Sequence, residues 1–514
     1  MMIKIAMLVD LHLPDQSDTV KDDVLEWALA TAVQEHADLI VAAGDLTSIG
    51  TLDAAIRMRQ KLDATGLPLL IVPGNAEIRT PEFTAAVLKE LQTPHVFEQN
   101  GCHVVALDNS KEILVEKDRE ILRRLARQGH RQILAAAHFP LTALPPDDKQ
   151  FLTELIASGC IGLFAAGHNH IDSLEHIGKG ESHLVRGIDP DKAIGGPPAL
   201  TFFEYDSTCM RWQRSDCTYS SGCALSWTAA QCAEFRKLLG ISCMQDSLSG
   251  IRDAIRHQIK SIELRFESTK NVSTEVLCAL LEQWRNEGGQ HLSIHLPDIA
   301  WDQKKYGVKG VNQMKTACEL ALTLNADMLT MHVPRCPVGL LTKHADIRNL
   351  LLNAYVDTLK TVLASGITVG IENLHMNPGE NPDTERGFGY TPPECLDWIN
   401  ALREVTGSGK IGFHFDIGHA RNNAPYSSLY SISQWFAELG SLITGYHLHQ
   451  VEINSEGRFI NHRPITGMFG PLISFSSLFA AWNKEQINHA PMYLEIRDNG
   501  ALGSLDCFRK YLDS

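Results

Sequence analysis

Two sets of histidines, carboxylates and one amide stand behind short apolar runs of the kind that become buried strands. Each set has the composition of a metal site. In the first set, Asp10-Leu11-His12 follows the run 3–9, Gly44-Asp45 follows 39–43, and Gly74-Asn75 follows 69–72. His138 follows 133–137, and Gly167-His168-Asn169-His170 follows 161–165. Strand ends on one edge of an open sheet converge, so residues distant in sequence can share one site. Two divalent ions about 3.5–4 Å apart need a bridging carboxylate with imidazole, carboxylate and amide ligands. These positions supply all of them. Taken singly, a strand-end Asp is as readily a helix cap and a His a satisfied polar residue. Five such positions, in order and each behind an apolar run, argue for a shared metal site.

The second set begins past residue 240. His295 closes Leu292-Ser293-Ile294-His295, His332 closes Leu329-Thr330-Met331-His332, and Glu372 closes Gly370-Ile371-Glu372. Asp416 and His419 follow in His414-Phe415-Asp416-Ile417-Gly418-His419. Then come His447 and His449 in Tyr446-His447-Leu448-His449, and Glu495 in Tyr493-Leu494-Glu495. Charged groups at apolar strand ends are costly unless paired or coordinated, and converging acids and imidazoles satisfy each other best around a cation. His447 and His449 point to the same side of a strand, so spacing does not choose between them.

The elements that must position these residues are legible as rhythm. Residues 1–205 alternate β-branched runs with amphipathic stretches, the pattern of an α/β layer fold. Residues 206–227 lose that rhythm, are rich in Ser, Thr and Cys, and are expected to form a linker. A helix over 228–239 is expected to lead into the second domain. From 240 to 514 the pattern is strand then helix, repeated. The predicted strands are 241–244, 262–266, 292–296, 328–333, 368–371, 411–416, 443–448 and 492–496. Strands and helices in that number and span make a (β/α)8 barrel.

Composition bounds the rest. The 514 residues exceed one comfortable core and predict at least two domains. The formal net charge of −15 disfavours a grip on long nucleic acid, which needs a basic surface, and favours a small phosphorylated substrate. No run approaches the roughly 20 apolar residues of a membrane span, so no membrane partner is expected. The opening residues, soon acidic, do not read as a signal peptide. The twelve cysteines show no paired spacing and read as small apolar fillers in a cytoplasmic protein. A homo-oligomer is compatible with this composition.

The first set resembles the calcineurin-like metallophosphoesterases, whose D-x-H, G-D, G-N-H-[DE], H and G-H-x-H blocks occur in order over residues 1–200. The resemblance implies an αββα sandwich holding two divalent ions, Mn, Fe or Zn. Asp10, His12, Asp45 and His170 would hold one ion, and Asp45, Asn75, His138 and His168 the other, with Asp45 as the catalytic bridge. One block departs: the His after Asn75 is Ala76, in Gly74-Asn75-Ala76-Glu77. That His ordinarily serves the leaving group, and relatives without it favour phosphodiesters.

The second set resembles the xylose isomerase-like TIM barrels, which include endonuclease IV-type enzymes and ketose epimerases. Its E-N, D-x-x-H, H-x-H-x-x-E and terminal L-E blocks are present over about 240–514. The resemblance implies one or more divalent ions (Mn, Mg, Co or Zn) held by Glu372, Asp416, His449 and Glu495, with His332 as a further ligand. His449 is preferred to His447 because Glu452 follows three residues later. Glu372 and Glu495 would be catalytic, exchanging a proton beside a carbonyl, while His295, His419 and His447 would bind substrate. Endonuclease IV-type members hold three metals; their Asp-x-His pair is Asn461-His462-Arg463 here, with only His462 suitable. The expectation is therefore a bifunctional enzyme: a phosphoesterase followed by a sugar isomerase or epimerase. The alternative is two phosphohydrolases acting in sequence.

Overall fold

The computed structural model describes residues 2–382, 386–470, 472–497 and 500–513. The chain divides into two compact units, Met1–Cys223 with Phe469–Ala480, and Ala224–Met468 with Ala481–Ser514.

The first unit contains two mixed sheets. In one, strands Met2–Leu8, Leu39–Ala43 and Leu69–Val72 run parallel, and Ala199–Asp206 and Arg211–Thr218 extend it antiparallel. In the other, the order is Val96–Gln99, Cys102–Ala106, Ile133–Ala137, Ile161–Ala166, Gly180–Leu184 and Ser173–Ile177. Ile3, Val41 and Val72 from the first sheet share one buried core with Val104, Leu134 and Leu163 from the second. The sheets therefore pack face to face, because each is apolar on both faces and needs two covers. Helices Glu116–Arg127 and Pro146–Ala157 supply the outer cover of the second sheet through Leu122, Leu125, Leu152 and Ile156.

The expected linker is corrected at its start. Arg211–Thr218 is a full edge strand, in register with Ala199–Asp206. It reads as polar because one of its faces is open to water, while Trp212 packs inward on the sandwich core. Edge strands are commonly disguised in this way. The expected helix is Ala229–Leu238, with Thr228 as its cap: the Thr side chain accepts from the Gln231 amide, and the Gln231 side chain reaches back.

The second unit is a closed barrel of eight parallel strands. They are β1 (Leu239–Cys243), β2 (Ser261–Arg265), β3 (His291–His295), β4 (Met328–His332), β5 (Thr368–Glu372), β6 (Ile411–Asp416), β7 (Ile443–Leu448) and β8 (Met492–Leu494). A helix follows each strand in the sequence, as a parallel crossover requires. Register decides what the mouth contains. Arg265 pairs with His295, His332 with Glu372, and Asp416 with His447, so each pair stands side by side at the C-terminal strand ends. No helix among the described residues is long and apolar enough to cross a membrane.

Candidate functional site

In the first unit all seven predicted residues converge where parallel strands of both sheets end. His138 Nε2 lies 3.1 Å from Asn75 Oδ1, 3.4 Å from Asp45 Oδ1 and 3.2 Å from His168 Nδ1. His138 Nδ1 lies 3.5 Å from Asp10 Oδ1, and His12 Nε2 lies 3.7 Å from Asp45 Oδ2. The His12 and His170 rings stack at 5.4 Å. Asp10, His12, Asp45 and His138 are buried. Yet Asp10 Oδ1, His12 Nε2, His138 Nδ1 and His170 Nδ1 have no hydrogen-bond partner among the described residues. Buried polar atoms without partners are costly, and a cation among them would satisfy them together.

The electrostatics agree. Burial and the neighbouring Asp45 charge push the Asp10 carboxyl well above its usual range. Burial also holds His12 and His170 well below the usual imidazole value and brings His138 down to about 4. Neutral imidazoles are the form that binds metal. The backbone adds an independent sign. Asp10, His12, Asp45, His168 and His170 all have left-handed φ, between 48° and 71°, a conformation non-glycine residues seldom adopt. Gly44 makes room for this packing, since a Cβ there would strike the His138 ring.

Two residues hold this cluster in place. Glu77 accepts from the Thr47 amide (2.8 Å), the Thr47 hydroxyl (2.9 Å) and the Gly74 amide (2.7 Å), tying the Asp45 loop to the Asn75 loop. Asn109 Oδ1 accepts from the His138 and Phe139 amides, both at 3.1 Å. Sequence reading had Glu77 only as a motif letter and missed Asn109, whose role depends on a partner 29 residues away.

The barrel mouth gathers the second set around Glu372, which is fully buried. Its Oε2 lies 3.2 Å from His295 Nε2 and 3.4 Å from His332 Nε2. Its Oε1 lies 3.2 Å from His447 Nδ1 and 3.5 Å from His419 Nδ1. His447 Nδ1 is also 3.3 Å from Glu495 Oε2 and 3.7 Å from Asp416 Oδ2. His449 Nε2 meets Asp416 Oδ1 at 3.1 Å. Glu495 is paired with Arg265 and with His462 Nδ1, the latter at 3.2 Å. Asp416 also caps the helix Ile417–Arg421 by accepting from the His419 amide, so it serves as a cap as well.

The structure places His447 differently from the substrate contact expected of it. It has no exposed surface, and its Nε2 is 2.8 Å from Glu263 Oε1. Glu263, on β2, also accepts from the hydroxyls of Ser242 (2.9 Å), Ser293 (3.3 Å) and Thr330 (2.7 Å). Burial opposes charge on His447, but Glu263 and Glu372 push its pKa up to about 10. Burial likewise opposes ionisation of Glu372, yet His332 and His447 hold it well below the carboxylate range. His295 and His419, also expected to meet substrate, are nearly buried. Burial takes His419 down to about 3.

Three mouth residues were missed or left aside in the sequence: Glu263, Asp298, which meets His332 Nδ1 at 2.6 Å, and His462. The last joins His419 and His449 in one group able to hold an ion, and His295, His332 and Glu372 form another. Asp45, His138 and His168 form a third, in the first unit.

An eight-stranded parallel barrel whose mouth is crowded with buried imidazoles and carboxylates defines a class: (β/α)8 barrels with a candidate metal site at the C-terminal strand ends. The chain belongs to the xylose isomerase-like TIM barrel family, whose model matches residues 251–511. No curated protein matches it. Among solved structures, it is similar to a D-tagatose 3-epimerase-like protein (19% identity, TM-score 0.39, 54% of this chain and 97% of that one). An L-ribulose 3-epimerase is similar at 17% identity (TM-score 0.38, 51% and 82%). A dimetal phosphatase from Danio rerio is similar at 14% (TM-score 0.31, 42% and 99%). At such identities no activity transfers from them to this chain.

Proposed function

We propose that the chain is a bifunctional metalloenzyme. The first unit hydrolyses a phosphoester, with diesters favoured, and the barrel isomerises or epimerises a sugar-like substrate. The observation supporting the first activity is the convergence of seven ligand-type side chains with four orphaned buried polar atoms. Asp10, His12, Asp45 and His170 would hold one ion, and Asp45, Asn75, His138 and His168 a second. Such a pair lowers the pKa of water and offsets charge growing on phosphoryl oxygens. Glu77 and Asn109 keep the ligand loops aligned, and Ala76 offers no proton to a leaving group. That absence penalises poor alkoxide leaving groups most and favours diesters.

For the barrel, the supporting observation is that Glu372 and Glu495 approach the same nitrogen of His447, at 3.2 and 3.3 Å. Two carboxylates so placed can take a proton from one carbon and return it. Glu372, Asp416, His449 and Glu495 would hold an ion, which polarises a carbonyl when bound. Glu263 fixes the orientation of His447 beneath them. A second reading, a multi-metal phosphohydrolase, is favoured by the two further ligand groups around His332 and His462.

The two readings separate by metal count and isotope exchange. An isomerase or epimerase binds about one tight ion in the barrel and washes solvent deuterium into a ketose beside its carbonyl. Three ions in the barrel, with phosphate release lost in His295→Ala, would decide for the hydrolase.

A further inference from the structure

Beside the barrel mouth lies a cleft of about 430 Å3, walled by Arg458, Arg497, Asn422, Asn461, His375 and His462 among others. Among its described lining residues there is no carboxylate, in a chain of net charge −15. Its charged side chains are both cationic, and its asparagines add amide N–H donors. The Arg497 side chain has no ion-pair or hydrogen-bond partner among the described residues, and only its backbone is engaged, with the amide donating to His462 O at 3.1 Å. Arg458 has one loose partner, Glu456 at 3.4 Å, with both side chains about two-thirds exposed (66% and 64%). Such an exposed pair contributes little and leaves the guanidinium free to turn. Asn461 is 8% exposed. Its Oδ1 accepts from Asn422 Nδ2 at 2.9 Å, while its own Nδ2 has no partner among the described residues.

The cleft borders the reaction centre at His462, which lines it. That ring sits 4.5 Å from the His449 ring, and its Nδ1 is 3.2 Å from Glu495. A phosphate seated among the arginines therefore lies one side chain, that of His462, away from the mouth carboxylate Glu495.

We propose that this cleft is a phosphate subsite, and that the substrate of the barrel is a phosphorylated sugar-like molecule rather than a free sugar. The inference rests on the reading of the barrel mouth as a reaction centre and names the substrate class it takes. Two guanidinium groups match the charge of a phosphomonoester dianion, and an arginine fork plus an amide N–H match its three terminal oxygens. A carboxylate would leave one arginine uncompensated.

The test is arginine labelling of the full-length protein with phenylglyoxal, read peptide by peptide by mass spectrometry. The probes are inorganic phosphate (which the first unit cannot consume), a ketohexose monophosphate, the free ketohexose and a hexuronate. At about ten times its Kd, a ligand occupying the cleft slows labelling of Arg497 and Arg458 about tenfold. Arg256, whose side chain is 70% exposed at the end of the helix Ser247–Arg256 and outside the cleft lining, serves as the control and keeps its rate. Protection by phosphate and by the monophosphate, but not by the free ketose, is the expected result. Unchanged labelling of Arg497 with every probe overturns the subsite, and so does equal protection by the free ketose or the hexuronate. Absence of deuterium exchange with protection intact would instead strike the isomerase reading and leave the phosphate subsite standing.

Discussion

Glu263→Gln isolates the buried pair beneath the barrel mouth, and its effect can be estimated from the geometry. In the metal-stripped protein burial opposes charge on His447, but Glu263 and Glu372 push its pKa up to about 10 from the ordinary imidazole value of 6.5. At 1.36 kcal/mol per unit, this amounts to about 5 kcal/mol of coupling to its surroundings. Glu263 and Glu372 share that coupling, at 2.8 and 3.2 Å. The glutamine loses the charge and keeps one acceptor oxygen, so it can accept on the side of Ser242 and His447 or on the side of Ser293 and Thr330, but not on both. The variant should therefore lose about 3 kcal/mol, within the usual cost of breaking a buried pair. That corresponds to about 6–12 °C in the calorimetric transition of the barrel. The pH dependence has a definite sign. A histidine whose folded pKa is raised contributes stability that is full below pH 6.5. That contribution is lost as pH rises through about 10. The wild-type barrel should thus weaken on alkalinisation across this window, and Glu263→Gln should show a flatter profile. A variant melting within about 1 °C of wild type, or keeping the wild-type slope with pH, would refute the pairing.

Three further substitutions test the proposed sites. Asp45→Asn removes the charge facing both His12 and His138; metal content of the first unit and hydrolysis of bis-p-nitrophenyl phosphate should fall by about 100-fold or more, and full activity with unchanged metal would reject the bridge. Ala76→His returns an imidazole beside Asn75 and should raise monoester hydrolysis relative to diester hydrolysis. An unchanged ratio means the Ala is incidental. Glu372→Gln should abolish deuterium exchange by the barrel while phosphodiester hydrolysis persists, and loss of both in this variant would point to one composite site.

Much of this molecule was legible because apolar runs fix where strands lie. The runs at 39–43, 69–72, 133–137, 411–416 and 443–448 are strands over those same residues. Chemistry written at strand ends was legible for the same reason, since parallel topology brings those ends together. Three things were not. The strands at Ser173–Ile177 and Arg211–Thr218 are polar edges whose composition hides them. Glu263 stands within its strand rather than at its end, so attention to terminal residues passes over it. The choice between His447 and His449 depends on where β7 stops. The strand ends at Leu448, so His447 is still within the ladder, beside Asp416, and its side chain reaches Glu263 and three mouth carboxylates. His449 lies past the strand end and meets only Asp416 among those carboxylates. A period of two gives both residues the same face and cannot supply that boundary.

The left-handed backbone of the first site carries one more consequence. A non-glycine residue in that conformation costs about 1–2 kcal/mol. Asp10, His12, Asp45, His168 and His170 adopt it together, which sums to about 5–10 kcal/mol, somewhat less for the two aspartates, which tolerate it better. To this is added the burial of Asp10 beside Asp45, which raises the Asp10 pKa well above its usual range. Packing and the tie from Glu77 offset part of the cost, and bound cations would offset the rest by neutralising the carboxylates and taking up the orphaned imidazole nitrogens. Stability of the first unit should therefore be linked to metal. At about a thousandfold excess of free ion over Kd the stabilisation is about 4 kcal/mol, or roughly 8–16 °C for a unit of this size. Chelation should lower the calorimetric transition of the first unit by that amount, and readdition of Mn, Fe or Zn should restore it. The His12→Ala variant, with one ligand fewer, should show a smaller restoration. A transition that ignores both chelator and added ion would mean that the strained loops are held by packing alone, and that the convergence of seven ligand-type residues serves some purpose other than binding metal.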